Sequence, residues 1–259
     1  MKRNKLLTQK RKRPFFGLFK AIVKLFTKKP KLIVKGQPLD DGCLLLGNHA
    51  NKNGPLMYDV YLPLYTCKWG AYQMLCGYKD RFLYLRNVLY IQKNGYGKFA
   101  ATIKALFEAC FSKFIYKGLN ILPSYPDTRL LGTVKSSVEA LKNDVSVMIY
   151  PEDSSKGYHD VITSFLSGFT LVMSQYKKET GKDVAVRPAY YHKKKSLIIV
   201  GEKYYYDELT KQGISKREFP EFFKNKVNEL YAYAEREITA KRNKKKNNRF
   251  AGDKVSTKV

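Results

Sequence analysis

The sequence is poor in cysteine and histidine, and its first 39 residues contain no acid at all. The four cysteines, Cys43, Cys67, Cys76 and Cys110, form no C-x-x-C pair, and none has a histidine at ligand spacing. That argues against a zinc framework and leaves free thiols buried in apolar stretches. No run reaches the roughly 18 apolar residues that a membrane-spanning helix needs. The basic start, Met1 to Arg13, leads into an apolar stretch broken by Lys20 and Lys24, a poor fit to a signal peptide. A reducing, cytoplasmic setting fits these absences. What the chain does have is bulk and positive charge. Its 259 residues are 44% hydrophobic and 14% aromatic, which excludes a disordered chain. Lys and Arg number 49 against 22 Asp and Glu, a net charge of +27. A charge of that size faces an anionic surface: nucleic acid, membrane phosphate or an acidic small molecule.

The charge is concentrated at the ends. The first acid is Asp40, and 241–249 reads KRNKKKNNR. Between Phe15 and Phe26, the residues Phe15, Phe19, Ile22, Val23 and Phe26 recur at helical spacing, with Lys20, Lys24 and Lys28 on another face. An apolar stripe beside a lysine stripe predicts a helix lying in a membrane interface, with Phe15 and Phe19 among acyl chains and Lys20 and Lys24 at headgroups. Residues 1–31 therefore read as a basic docking segment, 32–238 as one folded domain and 239–259 as a basic flexible tail.

Within the domain, strands alternate with helices. Leu32–Val34, Cys43–Leu46, Leu119–Leu122, Val145–Tyr150, Val184–Tyr190 and Leu197–Val200 read as strands. Ala100–Tyr116, Arg129–Lys142, Phe165–Lys178 and Phe219–Ile238 have helical periodicity, the first through Ile103, Leu106, Phe107, Cys110, Phe111 and Phe114. This order predicts a single α/β domain with a mixed, largely parallel sheet flanked by helices. Ligands bind beyond the carboxyl ends of strands in such sheets. Two loops qualify: the one carrying Asn48, His49 and Gly54, and the one carrying Pro151, Glu152, Asp153, Ser154, Ser155 and Lys156. His49 directly follows a strand, where an imidazole can act as general base on a hydroxyl.

Taken together, these loops resemble the PlsC-like glycerolipid acyltransferases, the family of 1-acylglycerol-3-phosphate acyltransferase. Asn48-His49 after an apolar strand looks like the family's first motif, and Ile149-Tyr150-Pro151-Glu152 is similar to its Phe-Pro-Glu-Gly motif. Gly118 followed by Leu119–Leu122 stands where a second motif belongs, and Val184–Ala189 resembles a fourth, an apolar strand ending in Pro. The resemblance spans about Leu32 to Ile238. It implies an O-acyltransferase at the cytoplasmic side of a membrane. A fatty acyl group would pass from a thioester or acyl-phosphate donor, such as acyl-CoA or acyl carrier protein, to a lysolipid hydroxyl, with no cofactor or metal.

In that scheme His49 is the base, and Glu152, Ser154, Ser155, Lys156, Arg129 and Gly118 bind substrate. The sequence departs from the family at Gly54, where an Asp is expected, and at Asp153, where Gly is expected. Asp59, ten residues after His49, and Asp153 are the candidate replacements for the missing carboxylate. The alternatives are a non-catalytic lipid-binding relative and a nucleic-acid binder. The latter is suggested by charge alone: no nucleic-acid motif appears, and the aromatics mostly follow core periodicity.

Overall fold

The computed structural model describes residues 8–10, 12–50 and 53–253, with backbone alone from 238 onward. Among these residues the strands are β1 (Lys31–Val34), β2 (Leu44–Gly47), β3 (Thr66–Ala71), β4 (Ile121–Ser124), β5 (Ser146–Ile149), β6 (Val186–His192) and β7 (Leu197–Val200). They form one sheet in the order β1-β7-β6-β2-β5-β3-β4. All pairings are parallel except β6 with β7. So β6, β2, β5, β3 and β4 all end on one edge of the sheet. The expected mixed, largely parallel α/β sheet is what forms; β3 had no counterpart among the sequence-predicted strands.

The helices are α1 (Pro14–Phe26), α2 (Gly54–Tyr61), α3 (Tyr78–Leu83), α4 (Lys98–Gly118), α5 (Leu130–Lys142), α6 (Gly168–Thr180), α7 (Tyr206–Lys211) and α8 (Phe219–Asp253). Between α3 and α4, Tyr84–Lys93 is wound as a π-helix. Helix α8 continues to Asp253, so most of the backbone expected to be a flexible tail from 239 is helical, while the lysine-rich side chains of 241–249 lie outside the described residues.

Both sheet faces are covered, which explains why β2 and β5 are apolar throughout rather than alternating. Leu44, Leu46, Val147 and Ile149 pack on one face with Val134 and Val138 of α5, Phe169 of α6 and Phe223 of α8. Leu45 and Met148 pack on the other with Tyr58 of α2 and Tyr191. Arg187, fully buried on β6, donates to the carbonyls of Gly201, Pro38, Lys35 and Gln37 at 2.7–3.0 Å. Its side chain thus ties the chain after β1 and β7 to the sheet, and the four backbone oxygens satisfy a guanidinium that is itself buried.

Helix α4 keeps its small side toward the protein. Its small residues Ala101, Ala105, Ala109 and Ser112 face inward, against Met74, Leu85 and Tyr90. The larger residues Ile103, Leu106, Phe107, Phe111 and Phe114, together with Phe99, are exposed. The packing is closed by Arg81, whose guanidinium donates to the Ala109 carbonyl at 3.1 and 3.2 Å. Alanines allow the close approach, so the bulky stripe is left outside.

The cysteines divide. Cys43 and Cys67 are buried, and burial pushes their thiols up to about 11 and about 12. Cys76 is half-buried and Cys110 exposed, contrary to the expectation of four buried thiols. Among the described residues, no helix is long and apolar enough to cross a membrane.

Candidate active site

Strand β2 ends at Gly47 and hands the chain to Asn48, which fixes the turn. The Asn48 side-chain amide donates to the Tyr191 carbonyl at 3.1 Å. Its oxygen accepts from the Tyr191 backbone N–H at 2.8 Å and from the Tyr58 hydroxyl at 2.9 Å. These bonds join the end of β2 to β6 and α2, so the next residue projects from a rigid support. Ala50 takes a left-handed φ of 44°, reversing the chain until the Gly54 N–H reaches the His49 carbonyl at 2.8 Å. Asn51 and Lys52 lie outside the described residues.

His49 is held between the rings of Tyr150 and Tyr158, with centroids 5.0 and 5.2 Å away. Its Nδ1 lies 3.3 Å from Glu152 Oε2, and the same oxygen accepts the His49 backbone N–H at 3.2 Å. Glu152 follows β5 and is only 5% exposed. A buried carboxylate at Nδ1 favours the tautomer protonated there and leaves Nε2 as the basic nitrogen. At 3.3 Å the contact is at the long end of hydrogen bonding. The carboxylate at the imidazole is therefore Glu152, assigned from sequence to substrate binding, and neither Asp59 nor Asp153.

Gly54 shows why the carboxylate comes from elsewhere. A Cβ built there would lie 2.6 Å from the His49 carbonyl oxygen and 2.7 Å from that of Asn48. Both obstacles are backbone, so no side chain fits unless the turn is rebuilt. Position 54 is closed to aspartate by the turn that presents His49.

His49 and Glu152 open onto a cavity of about 650 Å³ at the edge where the parallel strands end. Trp69 and Ala71 of β3, Ser124 and Tyr125 at and after the end of β4, and Ile149 to Ser155 at and after the end of β5 line it. Tyr84, Val88, Gln92 and Lys93 of the π-helical stretch form another wall. Lys93 is the residue sequence reasoning missed. Its ammonium donates to Ser154 Oγ at 2.7 Å and stands 5.7 Å over the Tyr158 ring. Burial pulls its pKa down, while Glu152 and Asp153 oppose that shift. No local spacing pairs Lys93 with Ser154, since they lie 61 residues apart. The Tyr72–Tyr96 region and the adjacent Trp69 and Gly70, which resemble no general motif of the acyltransferase family, split in the fold: Met74 and Arg81 are packing, while Trp69, Gly70, Tyr72 and Tyr84 line the cavity.

The other expected site residues disperse. Ser154 is buried in the cavity wall and Ser155 is exposed on it. Asp153 accepts the Ser155 backbone N–H at 3.0 Å, which lowers its pKa and uses its carboxylate to shape the loop. Lys156 is exposed and outside the cavity lining. Arg129 sits behind the rim: it pairs with Asp127 at 2.7 Å and stacks on Tyr125 and Tyr72 at 4.5 and 5.1 Å.

Gly118 lies outside the cavity lining. It seats the Phe16 ring, which occupies the space a Cβ there would need. Asp59, buried in α2, pairs with Lys68 at 2.5 Å and Lys20 at 3.1 Å. Burial alone would raise its pKa, but Lys68 and then Lys20 bring it below the ordinary value. Lys20 therefore points into the protein, and Phe19 packs against Phe16 and Phe114. Neither has the outward role expected of it; Phe15 and Lys24 are exposed.

Compared with known protein families, with curated proteins and with solved structures, the chain has no match in any of the three.

Proposed function

We propose that this protein is an O-acyltransferase that moves a fatty acyl group from a thioester donor to a lysolipid hydroxyl at a membrane surface, with His49 as general base. The observation that carries the reading is the His49–Glu152 pair at the mouth of the cavity. An imidazole whose Nδ1 meets a buried carboxylate is suited to take a proton at Nε2. The acceptor hydroxyl gives its proton to Nε2 as its oxygen attacks the thioester carbonyl. The C–S bond then breaks, and the leaving thiolate recovers the proton from His49. Glu152 stabilises the imidazolium between the two steps. Lys93, beside Ser154 and reaching the cavity from the π-helical wall, supplies a cation for an anionic substrate group. The motif resemblance and the apolar and aromatic lining support a lipid substrate over a small polar one.

Purified protein is incubated with an acyl-CoA series and lysophospholipid acceptors, and free thiol and acylated lipid are measured. Thiol release matched by lipid product is expected, reduced about 10²–10⁴-fold in His49→Ala. Unchanged turnover in His49→Ala would remove the base from this scheme. Absence of transfer from every thioester, with lipid binding retained, would favour a non-catalytic lipid-binding protein.

A further inference from the structure

We infer that the outer face of α4 is a lipid-docking surface, built to sit on an anionic bilayer. This inference does not depend on the chemistry at His49. The face comprises Phe99, Ile103, Leu106, Phe107, Phe111 and Phe114, which recur at spacings of three and four and so form one stripe along the helix. Phe99 is 81% exposed, Phe107 69% and Phe111 67%. Single exposed apolar residues are ordinary, but an aligned row of phenylalanines marks an interaction surface. The opposite side of α4 is fixed to the protein by its alanines and by Arg81, so the stripe cannot turn inward without dismantling that packing.

Charge decides the occupant. Lys104 lies on one flank of the stripe at helical spacing, and Lys113 and Lys117 on the other, with Lys98 at the start. The one acid of the helix, Glu108, is bonded to the Tyr90 hydroxyl on its inner side. A second copy of this face would set lysine against lysine. An anionic lipid surface offers phosphates to the lysines and acyl chains to the rings. Helix α1 joins α4 at its C-terminal end, where Phe114 meets Phe16 and Phe19 at 6.2 and 6.0 Å. The outward residues of α1, Phe15, Leu18, Leu25 and Phe26, are 64–84% exposed and extend the apolar surface there. The π-helical wall of the cavity packs directly on α4 through Leu85, Leu89 and Tyr90, so docking by this face brings the cavity's own support to the bilayer.

The test is co-sedimentation of the full chain with vesicles of phosphatidylcholine alone and of phosphatidylcholine mixed with phosphatidylglycerol. Binding to the mixed vesicles is expected, weakening with salt. It should fall at least about tenfold in Phe107→Asp/Phe111→Asp, while Leu131→Asp, a comparably exposed site on α5, binds as wild type. Thermal melting checks that both variants are folded. Wild-type vesicle binding by the double variant would overturn the inference. So would a stable dimer by sedimentation velocity that the double variant dissolves while wild type ignores vesicles. Acyl transfer assayed on monomeric short-chain substrates reads the His49 scheme separately and should be unchanged in the double variant.

Discussion

Asp59 and Glu152 are two buried carboxylates, each 5% exposed, near the same sheet edge, and they have opposite uses. Asp59 meets the ammonium groups of Lys68 and Lys20 at 2.5 and 3.1 Å, a contact closed to substrate. Glu152 meets an imidazole that can gain and lose a proton, beside a cavity large enough for a substrate. Burial makes both pairs energetically consequential. The partner determines whether the consequence is structural or chemical. Sequence order favoured Asp59 as the helper of His49, because it comes only ten residues after the histidine; the fold commits it to a lysine instead.

The comparison can be broken most severely at Lys68. Lys68→Met leaves Asp59 with only its weaker partner, and about 3–5 kcal/mol of stability should be lost in urea titration. Turnover per folded molecule should stay near wild type. A comparable loss of turnover would show that the Asp59 pair reaches the site after all. Glu152→Gln is the complementary case: kcat should fall about 10²-fold while the urea midpoint moves little. Wild-type kcat in that variant would leave the imidazole without a functional carboxylate.

Gly54→Asp sharpens the contrast further. It returns the carboxylate to the position the motif resemblance favours, yet should cost about 1–3 kcal/mol by crowding two backbone carbonyls and should give no gain in rate. A faster, equally stable Gly54→Asp protein would show that the turn can yield. The smallest effect is in the pH profile. Because Asp59's folded pKa is depressed, its stabilisation is complete above the ordinary aspartate value. It is lost as the pH falls from there through the folded value. Asp59→Asn should therefore flatten the acid limb of stability measured by urea midpoints. Superimposable acid limbs would assign the acid sensitivity elsewhere.

Much of the sheet was legible because β2 and β5 are short apolar runs bounded by turn residues, as fully covered parallel strands must be. Strand β3, Thr66–Ala71, was not: Thr66, Lys68 and Gly70 interrupt its apolar pattern, and only the buried pairing of Lys68 with Asp59 makes the lysine acceptable there. His49 and Glu152 were each identifiable from a strand followed by a polar loop. Their pairing was not, since it depends on β2 and β5 being neighbours in the sheet, a relation that no sequence spacing encodes. Helix α4 was legible as a helix, but the side it turns to the protein was not. Periodicity shows that the large residues share a side of the helix, but not that the alanines are the side the protein keeps.

The π-helical stretch at Tyr84–Lys93 makes the cavity sensitive to insertions and deletions. The aim of a wall wound this way depends on the number of residues in it, and Lys93 stands at its far end. Removing one residue would rotate the chain beyond the deletion by about a quarter turn relative to the chain before it. The ammonium would leave Ser154 although every amino acid touching the cavity was still encoded. Chain length within those ten residues is thus as much a determinant of what the cavity accepts as the identity of any side chain lining it.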